Sequence, residues 1–500
     1  MWKKVITGIW RFLTRYINAY RLITGAGLIA AAALVLAIPV QMPDPDDWAY
    51  YHGVRNFSQG HLTVDNRQQF EQAVATGQEG GFLLQYLPIA YNKWALEKAP
   101  GYVLYQVPFQ KLGIPRYANV LLALGMVIVT FILLKRLRDE KAAMIGSLLL
   151  LFTPIALVML NRAYMDTYGS LAFLAMGVGL YFYYHLGRTN LGPVKGGSIL
   201  FLAFFFTGWS VFTRYTNLPI AVIVFLHLVI TRLVEWRRGQ ETKIKREIVP
   251  LILGIGLPVL VLALYDYYVF GSPLKYGYSY SPYPIKFAFQ YFGQTINGES
   301  VPWKIILNNA QGYERNLLIG LPLLIIGMPG FFALLYFKCA AFFKRDRPPG
   351  KWSSLSQELT WGILLVLIGW FIFVFVLYLL YEWTAALKPS SGFVIFDRFL
   401  LPGLFPVAIV CALIMARFSL KILIPVLLVL MVYGGMVFSQ WALDLKILPQ
   451  TLTIKTLENR WPGYVFAPWV KYPPEDSGGT MFPWHILPEG AGPYLPRPGR

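Results

Sequence analysis

The chain has 500 residues, of which 56% are hydrophobic and 14% charged, with a net charge of +19 and a mean hydropathy of +0.51. A soluble protein carries roughly a quarter charged residues, so this balance excludes a soluble enzyme and points to a chain that crosses a membrane many times. The positive charge does not imply nucleic acid, because Lys and Arg concentrate in short loops between apolar runs, which is the positive-inside pattern.

Residues 1–22 form a basic, aromatic segment with Trp10, Leu13 and Ile17 at helical spacing, as expected of a helix lying on the cytoplasmic membrane surface. The apolar run that follows lacks a good cleavage site and suits an anchor rather than a signal peptide. Run length predicts about eleven spans. Their centres fall near Ala32, Met126, Leu150, Met176, Phe205, Val224, Val259, Ile326, Ile368, Val410 and Val429. With a cytoplasmic N-terminus, the basic segments 135–141, 232–246, 338–351 and 417–421 all face inward. The sparser segments 42–116, 161–166, 214–216, 271–316 and 383–398, and the tail from 441, then face outward. The expectation is a multi-pass protein of the plasma (inner) membrane, with its active site and tail extracytoplasmic.

Within the first outside loop, 42–116, the pieces GFLLQYLPIAYNKWAL and GYVLYQVPFQKLGI are too short to span and read as helices on the membrane surface. Residues 271–316 read as a second large loop, and 441–500 as a Pro-, Gly- and aromatic-rich tail without helical period. Cys339 and Cys411 are far apart in apolar surroundings, so neither a disulfide framework nor a thiolate metal site is indicated.

Five charged groups fall on the outward face. They are Asp44, Asp46 and Asp47; Glu97 and Lys98; Arg162 and Asp166; Arg214; and Asp397 and Arg398. Charges at membrane depth are costly and are functional candidates. Carboxylates suit a base or a divalent cation such as Mg2+ or Mn2+, whereas Lys and Arg suit phosphate. Bland readings stand beside these. The Asp cluster would cap a surface helix, Glu97–Lys98 would be a solvated pair, and Asp166 would pair with Arg162 or cap its helix. Arg398 would pair with Asp397, and Arg214 would be an interfacial anchor. His52 and His61 read as solvated. Tyr276, Tyr278 and Tyr280 suit either a sugar or lipid groove or an aromatic belt. No P-loop, dinucleotide glycine pattern, Ser-His-Asp elbow or HExxH is present.

Taken in order, PDPDDWAYYHGVRNFSQGHLTVDN (43–66), EKAPGY (97–102), NRAYMDTYGSLAFLAM (161–176), YDYYVFGSPLKYGYSYS (265–281) and DRFLLPGLFPVAIV (397–410) resemble the motifs of GT-C glycosyltransferases. They are most similar to the bacterial branch related to protein O-mannosyltransferases and lipid A aminoarabinose transferases. Asp47 stands where the family's usual Glu would be, Ala99 replaces the first Pro of its Glu-Lys-Pro-Pro motif, and Asp266 lies near its usual Asn. The resemblance implies an all-α polytopic bundle with its catalytic domain over 23–440. It implies a polyprenyl-phosphate sugar donor and transfer to an extracytoplasmic hydroxyl on protein, lipid or glycan. It makes Asp46 the general base, with Asp47 as a second catalytic carboxylate beside it or a metal contact and Asp44 as a weaker competitor, puts Lys98 and Arg398 near the lipid-linked phosphate, and puts Glu97 and Asp166 near a metal. Arg162 and Arg214 are added as phosphate ligands from topology alone. One displacement would invert the anomeric centre. A transporter or flippase of a lipid-linked or anionic sugar is the alternative, although no paired halves are visible. A polymerase or ligase using a polyprenyl diphosphate and a non-catalytic relative are further alternatives.

Overall fold

The computed structural model describes residues 18–40, 45–65, 86–90, 93–187, 190–239, 244–280, 285–296, 298–343, 358–385 and 393–443. Asp44, most of the basic N-terminal segment and nearly all of the tail lie outside these residues. Helix α1 (Ala19–Ala37) is followed by α2 (Pro45–Ser58), then strands β1 (Val64–Asp65), β2 (Tyr86–Ala90) and β3 (Lys93–Leu96). The bundle continues with α3 (Gly101–Lys111), α4 (Tyr117–Leu137), α5 (Glu140–Phe152), α6 (Pro154–Asn161), α7 (Asp166–Gly187), α8 (Pro193–Thr213), α9 (Leu218–Arg237) and α10 (Ile244–Phe270). After the short strands β4 (Thr295–Ile296) and β5 (Glu299–Ser300) come α11 (Val301–Gly320), α12 (Leu324–Phe343), α13 (Trp361–Leu379), α14 (Glu382–Ala385), α15 (Phe393–Leu400), α16 (Leu404–Met415) and α17 (Leu420–Leu443).

Among the described residues, 8 helices are long and apolar enough to cross a membrane, or up to 10 if each bent helix pair is one span. The expected centre at Met176 falls outside that set, on α7. This helix carries Asp166, Thr167, Ser170, His185 and four tyrosines, and it is buried along almost its whole length. It packs against α4 and α8, so protein rather than lipid surrounds it, and its composition need not be that of a lipid-facing span.

The bent pairs have local causes. Helices α5 and α6 meet at 60° where Pro154 lacks the N–H that would continue the ladder. Helices α11 and α12 meet at 102° across Leu321-Pro322-Leu323. Helix α11 starts at Val301, inside the segment expected to be loop. Lys304, Asn308, Asn309, Glu314 and Arg315 dilute its hydropathy and hide it from a run-length search.

The bundle has two distinct ends. At one, Arg21 of α1 meets Glu140 of α5 at 2.5 Å, and Glu140 also meets Lys135 of α4 at 2.6 Å. Glu358 receives Arg138 and Arg417 at 2.8 and 2.9 Å at the same helix turns. At the other end, Arg116 before α4 donates to Val35 O of α1 at 3.0 Å, and Asn161 of α6 donates to the same carbonyl at 3.1 Å. The expected site residues are at this second end.

The segment GFLLQYLPIAYNKWAL departs from expectation. Its described part pairs as β2 and β3, joined by β1 in an antiparallel sheet of order β1-β3-β2. Pro88 disfavours a helix interior, and Tyr86, Ile89 and Trp94 favour a pleated surface. Pro88 sits on the edge strand, with the ladder irregular between Pro88 and Ala90, the place a strand tolerates proline. Buried Trp94, Ala95 and Leu96 fix β3 and thereby the position of Glu97-Lys98. The second piece, GYVLYQVPFQK, forms the short helix expected of it.

Candidate active site

Helix α2 begins at Pro45, with Asp46 and Asp47 in its first turn. Pro suits the first helical position, and acids there are favoured by the helix dipole. Neighbouring helical residues point about 100° apart, so the two carboxylates diverge. Asp47 turns inward. Arg162, just after α6, donates to it twice, Nε to Oδ1 at 3.1 Å and Nη2 to Oδ2 at 2.5 Å, and both side chains are 0% exposed. Asp46 turns the other way, with Oδ1 3.5 Å from Lys98 Nζ and Oδ2 3.3 Å from Arg398 Nη2.

Each cation is held by its surroundings. Lys98 follows β3, with Nζ 3.9 Å from Glu97 and 3.5 Å from the Tyr278 hydroxyl. Burial works against its ammonium, but Asp46, then Tyr278 and Glu97, outweigh this and keep the amine protonated well beyond its usual range. Arg398, in α15, lies over Phe399 at 4.9 Å and Trp383 at 5.8 Å. Stacking of this kind stabilises a guanidinium with few solvent contacts. Arg214, just past α8, faces Phe399 and Tyr378 at 5.5 and 5.8 Å and donates to Thr167 Oγ1 at 3.4 Å. Asp166 starts α7, buried, and its charge acts on Arg214.

Two glycines allow close approaches that set this geometry. A Cβ at Gly101 would stand 2.6 Å from the Phe212 carbonyl, so EKAPG is pressed against the end of α8 beside Arg214. A Cβ at Gly277 would stand 2.2 Å from the Glu97 carbonyl, so the turn bearing Tyr278 is seated on the Lys98 segment.

The structure thus brings Asp46, Glu97, Lys98 and Arg398 together and sets Arg214 with Asp166 close by. Arg162 is engaged by Asp47 rather than turned to a phosphate, and its partner is Asp47 rather than the expected Asp166. The bland Asp397–Arg398 pair also gives way. Arg398 reaches Asp46, while Asp397 packs on Gly320 at the α11–α12 bend. His52 is half-buried rather than fully solvated. Burial, then the charge of Arg55, pushes its imidazole down to about 4.

Tyr50 is a site residue that the sequence reading passed over. It is 2% exposed, and its phenol is pushed well up by burial and then by Asp166, Tyr278 and Asp46, which places it among those groups. Its signal was present: position i+4 from Asp46 shares a helix face with it. Tyr378, Trp383 and Phe399 had no such signal, because only the fold brings them to the arginines.

Among the described residues the expected metal ligands do not gather into one group, and no three His, Cys, Asp or Glu side chains come together so as to hold an ion. A hard divalent cation takes several oxygen ligands, whereas Glu97 and Asp46 each face the Lys98 ammonium.

No protein-family model and no curated protein sequence matches the chain, but solved structures do. The oligosaccharyltransferase of Archaeoglobus fulgidus in its apo form is similar with a TM-score of 0.52 at 11% identity, covering 90% of this chain and 62% of its own. The same archaeon's AglB, in complex with an inhibitory peptide and a dolichol-phosphate, gives 0.51 at 11% over 85% and 56%. ArnT from Cupriavidus metallidurans, bound to undecaprenyl phosphate, gives 0.45 at 13% over 80% and 60%. This chain spans less than two thirds of the length of each. At these identities the likeness is one of fold, and that fold is the GT-C fold.

Proposed function

We propose that this chain uses its GT-C fold to transfer a monosaccharide from a polyprenyl-phosphate donor to an extracytoplasmic acceptor hydroxyl. The observation that carries the reading is a carboxylate, Asp46, set between two largely buried cations, Lys98 and Arg398. The dolichol-phosphate of the similarly folded AglB complex agrees with a donor of this class.

The chemistry follows from charge. The acceptor oxygen attacks C1 of the sugar, and the C1–O bond to phosphate breaks with its electron pair leaving on the phosphate. The acceptor proton goes to Asp46. A single displacement inverts the anomeric centre. The phosphodiester becomes a monoester and gains negative charge as it leaves. Lys98 and Arg398, held in place beforehand, stabilise that charge. Without donor, the same cations are occupied by Asp46 and quench it as a base. Arrival of the phosphate draws them off and frees the carboxylate, so the base is armed by the donor. Arg214 extends the cationic surface toward Asp166.

Asp47 and Arg162, expected as a second catalytic carboxylate and a phosphate ligand, take a different role. Their pairing braces the first turn of α2 and aims Asp46. Glu97 holds Lys98 rather than a metal.

The test is transfer from polyprenyl-phosphate sugars to a panel of peptide, lipid and glycan acceptors by purified protein. Asp46→Asn should lose about 10²–10⁴ in rate while still binding donor. Full activity in Asp46→Asn would remove the proposed base.

A further inference from the structure

Beside the Asp46 cluster lies a group of side chains that the transfer chemistry leaves unused. Tyr215, Tyr276 and Tyr278 pack ring to ring, with centroids 5.3 Å apart for Tyr215–Tyr276 and 6.3 Å for each of the other two pairs. The Tyr278 hydroxyl reaches Lys98, and Gly277 seats the turn that carries Tyr276 and Tyr278 on Glu97. The trio therefore walls one side of the cationic pair. Tyr276 is 40% exposed, so an aromatic surface is open there.

Asp266, near the end of α10, adjoins this wall. On the same helix end, Tyr265 lies 5.9 Å from Phe57 of α2 and 6.1 Å from Phe270, which stacks at 5.5 Å on Tyr280 of the turn that carries Tyr276 and Tyr278. Asp266 is only 4% exposed, and its Oδ1 has no hydrogen-bond partner among the described residues. A buried acceptor left unsatisfied is costly, and nearly all such groups in folded proteins have a partner. A ligand hydroxyl is a partner that fits the position.

Building on the proposed function, we infer that Asp266, Tyr215 and Tyr276 form the subsite that reads the transferred sugar. The electron-rich ring faces take the C–H face of a pyranose or furanose. Asp266 accepts a hydrogen bond from one of its hydroxyls. The ligand class is a hydroxylated monosaccharide ring attached to the phosphate that Lys98 and Arg398 hold. A site built to bond a hydroxyl discriminates strongly against ligands lacking it, so Asp266 sets donor specificity without taking part in bond making.

The experiment compares binding of polyprenyl-phosphate hexoses and pentoses with binding of the bare polyprenyl phosphate, by native mass spectrometry of the full chain. Wild type should prefer one glycosylated lipid. Asp266→Leu, of similar size but without an acceptor, should lose about ten-fold or more of that preference and leave bare-lipid affinity unchanged. Asp266→Asn, which keeps an oxygen acceptor, should retain part of it. Equal loss for both lipids in Asp266→Leu indicates a structural role and overturns the inference, as does an unchanged preference. Wild type that binds neither lipid overturns the functional reading and this inference with it.

Discussion

Replacing Asp47 alone should damage the protein more than replacing it together with Arg162. The pair is bidentate, and neither side chain has any exposed surface. Removing the carboxylate strands a guanidinium in the protein interior, and removing the guanidinium strands a carboxylate. Breaking a buried pair in this way costs about 3–5 kcal/mol, or roughly 10²–10⁴-fold in the folded-to-unfolded ratio. Replacing both by apolar residues of similar volume removes both desolvation penalties and is often neutral or stabilising. Asp47→Leu, Arg162→Met and the double variant complete the cycle. Thermal unfolding in detergent can be followed with a thiol-reactive dye, because Cys411 is buried in the native fold. Both single variants should unfold well below wild type, and the double should recover most of the loss. A double variant that loses the sum of the two single effects would refute the coupling and, with it, the bracing role given to the pair.

Other expectations follow from the same geometry. Gly277→Val places side-chain atoms against the Glu97 backbone, so it should shift the Tyr278 turn off Lys98 and weaken donor binding; unchanged affinity would show that the turn does not matter to the site. Gly101→Ala meets backbone rather than a flexible side chain at Phe212 and should lower expression and thermal stability together. His52 holds its proton only below about pH 4 in the folded state, against an ordinary value of 6.5. The unfolded chain therefore binds more protons between those values, and stability should fall as pH drops from about 6.5 towards 4. His52→Gln should flatten that part of the stability profile, and an unaltered slope would contradict the burial argument.

The fold class was legible because lipid imposes long apolar runs, and most of the runs became helices at the expected places. What escaped was whatever departs from that rule for a local reason. Helix α7 is shielded by its neighbours and tolerates polar residues. Helix α11 is amphipathic and ends in a sharp bend. Pro88 turned part of an apparent surface helix into an edge strand. The candidate site was legible as a set of charges that gather at one end of the bundle, since such charges are rare and their order along the chain resembles known motifs. Which charge meets which was not legible. The divergence of Asp46 and Asp47 depends on helical phase and on Arg162 standing behind α2, and sequence spacing alone did not place that arginine. The aromatic surfaces under Arg398 and Arg214 come from α13, α14 and α15 and meet only through tertiary packing.

In the proposed reaction Lys98 and Arg398 hold the phosphate of a lipid-linked sugar. Native mass spectrometry of the wild type and of a Lys98→Met, Arg398→Met variant, each purified from the same membranes, tests it without knowledge of the acceptor. Wild type should carry a polyprenyl-phosphate sugar or its polyprenyl phosphate product, and the variant should have lost it while remaining folded. Equal capture by the two proteins, or the absence of any polyprenyl phosphate from the wild type even after the lipid is added, would contradict the account.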